Sequence, residues 1–350
     1  MHLYQLIAAQ NNRGYLRTGV LMLSRFEKQL FGLMTGAFAS RALAIAVQRD
    51  LFTWLSRGGD GQTVEQVVAY LEFPERTSRV FLDVLSAIGL LRCENGLFRN
   101  TELSEQLLVR GRIADQRGAV ALFDHLYLGC GTLEHTLKTG NPASREYGYF
   151  FGAGTGSYPD DMDGSGFAPA LLLGEFWDFS NARHVLDVGG CLGTTAHALA
   201  ARYPNLRVTV LDLPEICERG KALSKQHPAS DARVTFHPGN FFDEDYPRGV
   251  DTICFVRILH DWSDKEALSL LEKAHAALQP GGRIVILETL REGSEKASLT
   301  ALIDLLMLLI SPKGGLRTRV AMGKLLRTAG FRRVRTKPTA YLYSLISAEK

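Results

Sequence analysis

No two of the five cysteines stand in a CxxC pair or any other metal-ligand spacing, which argues against a thiolate metal site. Cys93, Cys130, Cys191, Cys217 and Cys254 read instead as scattered reduced thiols of a cytoplasmic protein. The N-terminus MHLYQLIAAQNNRG has no basic stretch followed by a long apolar core, so no signal peptide is expected. The most apolar run, Leu299 to Ile310, contains Asp304 and is far shorter than the roughly 20 residues that cross a bilayer; it predicts a buried helix. Charge of either sign is scarce in net terms, +3 over 350 residues, and with 46% apolar residues the chain can bury a large core in two domains.

A further absence is informative. Arg183 to Asp212, RHVLDVGGCLGTTAHALAARYPNLRVTVLD, reads as strand, glycine turn, helix and strand, with Asp187 at the tip of the first strand and Asp212 at the tip of the second. A dinucleotide fingerprint needs glycines at i, i+2 and i+5, yet counting from Gly189 the i+2 position is Cys191. A nucleoside without a pyrophosphate fits better. S-adenosylmethionine is the common one, with Asp212 accepting from both ribose hydroxyls. The alternative is a tight βα turn of some other doubly wound protein.

Residues 18 to 56 carry apolar residues at helical spacing and predict two or three helices too apolar to stand alone. Thr63 to Leu71, Glu75 to Leu91 and a turn at Cys93 to Gly96 follow the order of a winged helix. Its second helix offers only Arg76 and Arg79 near its start, offset by Glu75 and Asp83, so dimerisation is the expected use rather than DNA binding. Tyr147 to Gly166 mixes aromatics with five glycines from Gly152 on and predicts either a hinged lid or a surface connection. Beyond it, helices alternate with strands up to Glu288, which implies a doubly wound α/β sheet, closed by an antiparallel pair. Nine Lys or Arg and no acid between Leu305 and Ala348 suggest a solvated face, or one suited to an anionic acceptor.

At ILHDWSDKEALSLLEKAHAALQPGGRIVILE, residues 258 to 288, the chain resembles the S-adenosylmethionine-dependent O-methyltransferases of plants and bacteria that act on small aromatic natural products. VLDVGG, the DLP at Asp212 to Pro214 and DLLML at Asp304 to Leu308 also match, and the resemblance covers most of the chain. It implies a class I methyltransferase Rossmann-like doubly wound sheet over 181–350, a mainly α winged-helix dimerisation domain over 1–105, and a helical linker and acceptor lid over 106–180. It implies a homodimer, with no nucleic acid, membrane or metal as partner.

The resemblance further implies His260 as general base, with Glu288 and Asp261 beside it. The cofactor is expected against Asp187, Gly189, Gly190, Asp212, Leu213, Gly239, Asn240, Phe241 and Arg257. The acceptor is expected against Phe150, Met162, Phe167, Asp304, Met307, Ser311 and Leu316. The chemistry agrees, because methyl transfer to a hydroxyl needs positioning and removal of one proton. Ser263 to Glu266 is a capping-box pattern whose helix dipole is expected to favour a neutral His260, with Glu288 fixing its tautomer. Trp262 is expected to pack.

Three departures stand out. GGCLG replaces GGGTG, Asn240 replaces an adenine-contacting aspartate, and Leu316 stands where relatives hold a second glutamate. These leave N- or C-methylation or a non-methylating step as an alternative, with a ligand-sensing DNA-binding protein behind it.

Overall fold

The computed structural model describes residues 13–112, 114–142, 158–227, 230–291, 297–311, 313–339 and 342–350. They form two compact units, Met1–Val109 and Arg110–Lys350.

In the first unit, helices α1 (Arg13–Gln48) and α2 (Leu51–Arg57) are the two helices that carry the apolar periodicity of residues 18 to 56, the first beginning five residues earlier. Nothing in the sequence interrupts it before Asp50, which adopts a left-handed φ of 53° and turns the chain. Its segment Phe26–Gln48 is long and apolar enough to cross a membrane by length and composition, a longer stretch than Leu299–Ile310. Its far end is packed, with Ala42, Ala44 and Ala46 buried, while Phe31, Leu33, Met34 and Phe38 stand exposed.

Next come α3 (Val64–Leu71), started by a reciprocal Thr63–Gln66 capping box, and α4 (Glu75–Ala87). A two-stranded wing, β1 (Leu91–Glu94) and β2 (Leu97–Asn100), turns at Asn95-Gly96, both with positive φ. Helix α5 (Glu102–Leu107) follows, and Phe52, Leu55, Leu71, Leu82 and Leu85 are buried in this unit. On α4, Arg79 is held by Glu75 at 2.8 Å and faces Glu65 at 3.6 Å.

The second unit opens with α6 (Arg117–Gly129), α7 (Leu133–Thr139) and α8 (Tyr158–Phe176). Residues 143–157, which include Phe150 and most of the expected lid, lie outside the described residues. The rest of that stretch, Tyr158 to Gly166, is helical. Its glycines serve close approach: a Cβ at Gly164 would meet the Gly118 Cα on α6 at 2.9 Å, and Gly166 lies against Thr194.

Seven strands follow, β3 (His184–Val188), β4 (Arg207–Asp212), β5 (Val234–Pro238), β6 (Val250–Val256), β7 (Leu278–Thr289), β8 (Arg332–Pro338) and β9 (Tyr343–Glu349). Their order is β5-β4-β3-β6-β7-β9-β8, parallel except where β9 pairs with β7 and β8. The parallel strands are covered on both faces by α9 (Thr194–Arg202), α10 (Pro214–Ser224), α11 (Asp264–Ala277) and α13 (Arg319–Thr328), which is why they read as unbroken apolar runs. Helix α12 (Ala297–Ile310) packs Met307, Leu309 and Ile310 with Leu126 of α6. From β3 the chain steps outward to β4 and β5, then crosses back to β6. The carboxyl ends of β3 and β6 therefore flank the switch point, where an open sheet leaves a crevice for a ligand.

Candidate active site

The turn after β3 is packed too closely for side chains at its two glycines. Gly189 has a φ of +71°, and a Cβ there would strike Ile258 Cδ1 at 2.5 Å, while one at Gly190 would strike the Asp187 carboxylate at 2.6 Å. Cys191 holds a φ of +53°, a left-handed conformation that costs a side-chain-bearing residue about 1–2 kcal/mol. Two anchors fix it there: its N–H donates to Asp212 Oδ2 at 2.8 Å, and its thiol reaches the Pro159 carbonyl at 3.6 Å. Asp212 Oδ1 accepts from the Leu213 N–H at 2.8 Å, so one carboxylate ties the ends of β3 and β4 together.

Burial pushes the Asp212 carboxyl up to about 6 despite those two N–H donors. Asp187 is pushed further, to about 7, first by burial and then by the Asp212 charge, and neither of its buried oxygens has a hydrogen-bond partner. Leu213 stands exposed at the lip. Gly239 is held by its N–H to the Asp212 carbonyl at 2.9 Å. The expected adenine contact at Asn240 has local partners: its oxygen accepts from the Phe242 N–H at 3.0 Å and its amide donates to Asp243 at 2.7 Å, leaving one acceptor lone pair. Phe241 lies 3.6 Å from where a Gly189 Cβ would be, and Phe241 and Phe242 pack edge-on against Trp262. Lys273 secures this loop from below through the Phe241 and Glu244 carbonyls at 3.2 and 2.9 Å, a role no local pattern signals.

After β6 the backbone turns sharply at Arg257, whose φ is +59°. Its guanidinium donates to Ser165 on α8 at 3.1 Å, and its buried Nε has no partner. A single 3-10 turn, Leu259–Asp261, then presents His260. Its Nδ1 sits 2.6 Å from Glu288 Oε2 at the end of β7, while Glu288 Oε1 accepts from the Leu259 and His260 N–H groups at 2.9 and 3.3 Å. Glu288 therefore fixes both the turn and the ring. With a carboxylate at Nδ1, the neutral form of the ring keeps its proton on that nitrogen and leaves the lone pair on Nε2.

Both carboxylates expected beside the base act on the ring. Asp261 Oδ1 lies 3.6 Å from Nε2. The expected neutral ring is corrected. Burial alone would lower the His260 pKa, but Glu288 and Asp261 outweigh it and the opposing Arg257 charge, raising it to about 9. Two full charges at short range outweigh the partial charge of a helix terminus. Burial pushes Asp261 up to about 6.

The expected acceptor residues that are described fall on α8 and on α12 with the loop that follows it. Met162 is half-buried on α8, and the Phe167 side chain, like Phe150, lies outside the described residues. Met307 is buried in the α6–α12 cluster. Asp304 accepts from the Leu316 N–H at 2.9 Å and from Arg291 at 3.2 Å, Leu316 is buried, and the Ser311 hydroxyl donates to the Asp261 carbonyl. Among the described residues no cluster of three or more His, Cys, Asp or Glu is arranged to hold a metal ion.

Comparison with known proteins agrees with this geometry. A family model described as an O-methyltransferase domain matches residues 167–332, and one described as an O-methyltransferase dimerisation domain matches residues 31–110. The acetylserotonin O-methyltransferase of Gallus gallus is 27% identical over 348 residues, covering 93% of this chain and 98% of that protein. The tetracenomycin polyketide synthesis 8-O-methyl transferase of Streptomyces glaucescens is 31% identical over 311 residues, covering 85% and 89%. A crystal structure of human N-acetylserotonin methyltransferase in complex with SAM superposes with a TM-score of 0.82 at 25% identity, covering 98% of this chain and 99% of that one.

Proposed function

Because the chain belongs to the O-methyltransferase family, with the family's methyl-transfer and dimerisation domains both present, we propose that it methylates a hydroxyl of a small aromatic or polyketide-like secondary metabolite, with His260 as general base. The observation that carries this reading is the His260–Glu288 pair, in which the carboxylate engages Nδ1 and so leaves Nε2 as the nitrogen that takes up a proton once the ring is neutral. Bound S-adenosylmethionine supplies a methyl group already activated on a sulfonium.

The rest is binding and proton transfer by this chain. Asp212 would accept the ribose hydroxyls, Leu213, Gly239, Asn240 and Phe241 would border the adenine, and Gly189 and Gly190 would border the amino-acid end. The orphaned oxygens of Asp187 and the orphaned Nε of Arg257 fit a ligand carrying groups of both signs. Nε2 of His260 takes the hydroxyl proton as the oxygen acquires the methyl group, and the imidazolium formed is held by Glu288 and Asp261. Incubation with labelled S-adenosylmethionine and an aromatic and polyketide library, read by mass spectrometry, tests the activity; methyl transfer only to nitrogen or carbon acceptors would overturn the O-methylation reading.

Two further outcomes follow. Asp212→Ala leaves the Cys191 and Leu213 N–H groups and the ribose donors without their acceptor and should weaken cofactor binding by about 1–3 kcal/mol, measured by calorimetry. Wild-type affinity should likewise fall as pH drops through about 6, where Asp212 takes up a proton. Unchanged affinity in the variant would remove the contact.

The protein should also be a homodimer formed by its N-terminal half. Phe38, Val80, Phe81 and Val84 line an open apolar groove between α1 and α4, and the dimerisation-domain match covers this surface. It also covers most of the apolar segment of α1, so burial against a second copy accounts for that segment without a membrane. The paired Arg79 leaves α4 without a basic stripe for nucleic acid. Light scattering at micromolar concentration would overturn the dimer by finding a monomer.

A further inference from the structure

The segment that carries His260 is too short to hold itself in place. A single 3-10 turn makes almost no ladder of its own, so its carbonyls must find partners elsewhere. Four consecutive ones do, each with a partner in one distant loop, and the Leu259 carbonyl also accepts from the Trp262 N–H at 3.4 Å. The Leu259 carbonyl accepts from Arg317 Nη1, the His260 carbonyl from the Gly315 N–H at 2.8 Å, the Asp261 carbonyl from the Ser311 hydroxyl, and the Trp262 carbonyl from Arg317 Nη2 at 2.6 Å.

Arg317 is the centre of this arrangement. Its side chain is 7% exposed, and its third donor, Nε, reaches Asp264 in the first turn of α11 at 2.8 Å. Only a planar fork with donors on three nitrogens spans two carbonyls and a carboxylate at once; a lysine ammonium cannot. The loop is shaped to come this close. A Cβ at Gly314 would collide with the His260 carbonyl oxygen, and Gly315 uses a φ of +150° to aim its N–H. The loop is also tied to the strand that bears Glu288, because the Arg317 carbonyl accepts from the Arg291 N–H at 2.9 Å, just past β7.

We propose that Ser311, Gly314, Gly315 and Arg317 form a positioning clamp that sets where His260 Nε2 lies relative to Glu288 and to the acceptor hydroxyl, with Arg317 as its principal positioning residue. The proposal rests on His260 being the base. Its physical content is that a reacting group displaced by about 1 Å loses on the order of 10²-fold in rate even when every side chain that touches substrate is intact.

The test compares Arg317→Lys with wild type, and both in a His260→Ala background. Arg317→Lys should lower kcat roughly 10- to 100-fold while the cofactor affinity stays within about twofold. The acid limb of its rate profile should move to lower pH, because a ring drawn away from Glu288 loses the charge that holds its proton. In the His260→Ala background the same change should have almost no further effect, since the clamp acts through the imidazole. Ser311→Ala, which removes only the Asp261 and Gly314 hydrogen bonds, should show a smaller effect of the same pattern and serves where Arg317→Lys fails to fold.

Equal rate losses with and without His260, or an unmoved acid limb, would reduce the loop to a general structural element and overturn the clamp. Near-normal turnover of His260→Ala alone would instead overturn the base reading beneath it.

Discussion

Replacing His260 by Ala should lower turnover by roughly 10²- to 10⁴-fold, the usual contribution of a positioned base, while leaving cofactor affinity nearly unchanged. The separation is expected because the proposed cofactor contacts centre on Asp212 and the turn after β3, whereas the imidazole is held from the other side by Glu288. The pH dependence gives a second readout. The ring pKa is raised from 6.5 to about 9, so the ring is protonated at neutral pH, and kcat/KM of the wild-type enzyme should climb with pH through about 9 as the base form appears. Near a bound sulfonium the cationic ring is less favoured, so the limb seen in kcat should lie lower than the limb seen in kcat/KM. In His260→Ala this limb disappears, and the residual rate follows ionisation of the acceptor hydroxyl itself. Turnover measured with labelled cofactor from pH 6 to 10 decides the matter. Near-normal activity would mean that positioning alone suffices, as a nitrogen or carbon methylation would allow.

Glu288→Gln should be nearly as severe, on the order of 10³- to 10⁴-fold, for a reason other than lost charge. The Glu288 side chain accepts from two main-chain N–H groups through one oxygen and from His260 Nδ1 through the other. A glutamine keeps the first role and turns an NH₂ donor toward Nδ1. The ring must then accept at Nδ1 and carry its proton on Nε2, the nitrogen that has to be vacant. With the larger of two carboxylate influences gone, the acid limb should move from about 9 toward 6.5, held partway by Asp261 at 3.6 Å. Low activity with a limb displaced to lower pH is therefore the expected signature. Low activity with an unmoved limb would mean that Glu288 does not control the proton on His260.

Much of the site was legible because it is local. The strand–glycine–strand pattern placed Asp187 and Asp212 near neighbouring strand ends, and the structure pairs β3 with β4 with Asp187 opposite Val210. Ser263 and Glu266 form the reciprocal cap their spacing implied. Other local signals have two physical uses that the sequence alone does not separate. Glycines 164 and 166 resemble hinges in sequence but serve close packing in α8, and which use applies depends on Gly118 and Thr194, distant in the chain. The neutral imidazole expected from a helix dipole was wrong because Asp261 and Glu288 converge on the ring.

The sequence by itself determined the elements whose cause lies within a few residues: the α/β alternation, the wing turn at Asn95-Gly96, and the identity of His260, Asp212 and Glu288 as chemically able groups. Only the tertiary structure decided how those groups act. Crossing from β5 back to β6 creates the crevice, the meeting of β6 and β7 sets Glu288 at 2.6 Å from the ring, and folding brings residues 311–317 under the carbonyls of 259–262. The reason is that periodicity and capping are short-range effects written in neighbouring residues, whereas charge on an imidazole and satisfaction of a buried carbonyl depend on whichever atoms arrive within about 3 Å, from any distance along the chain.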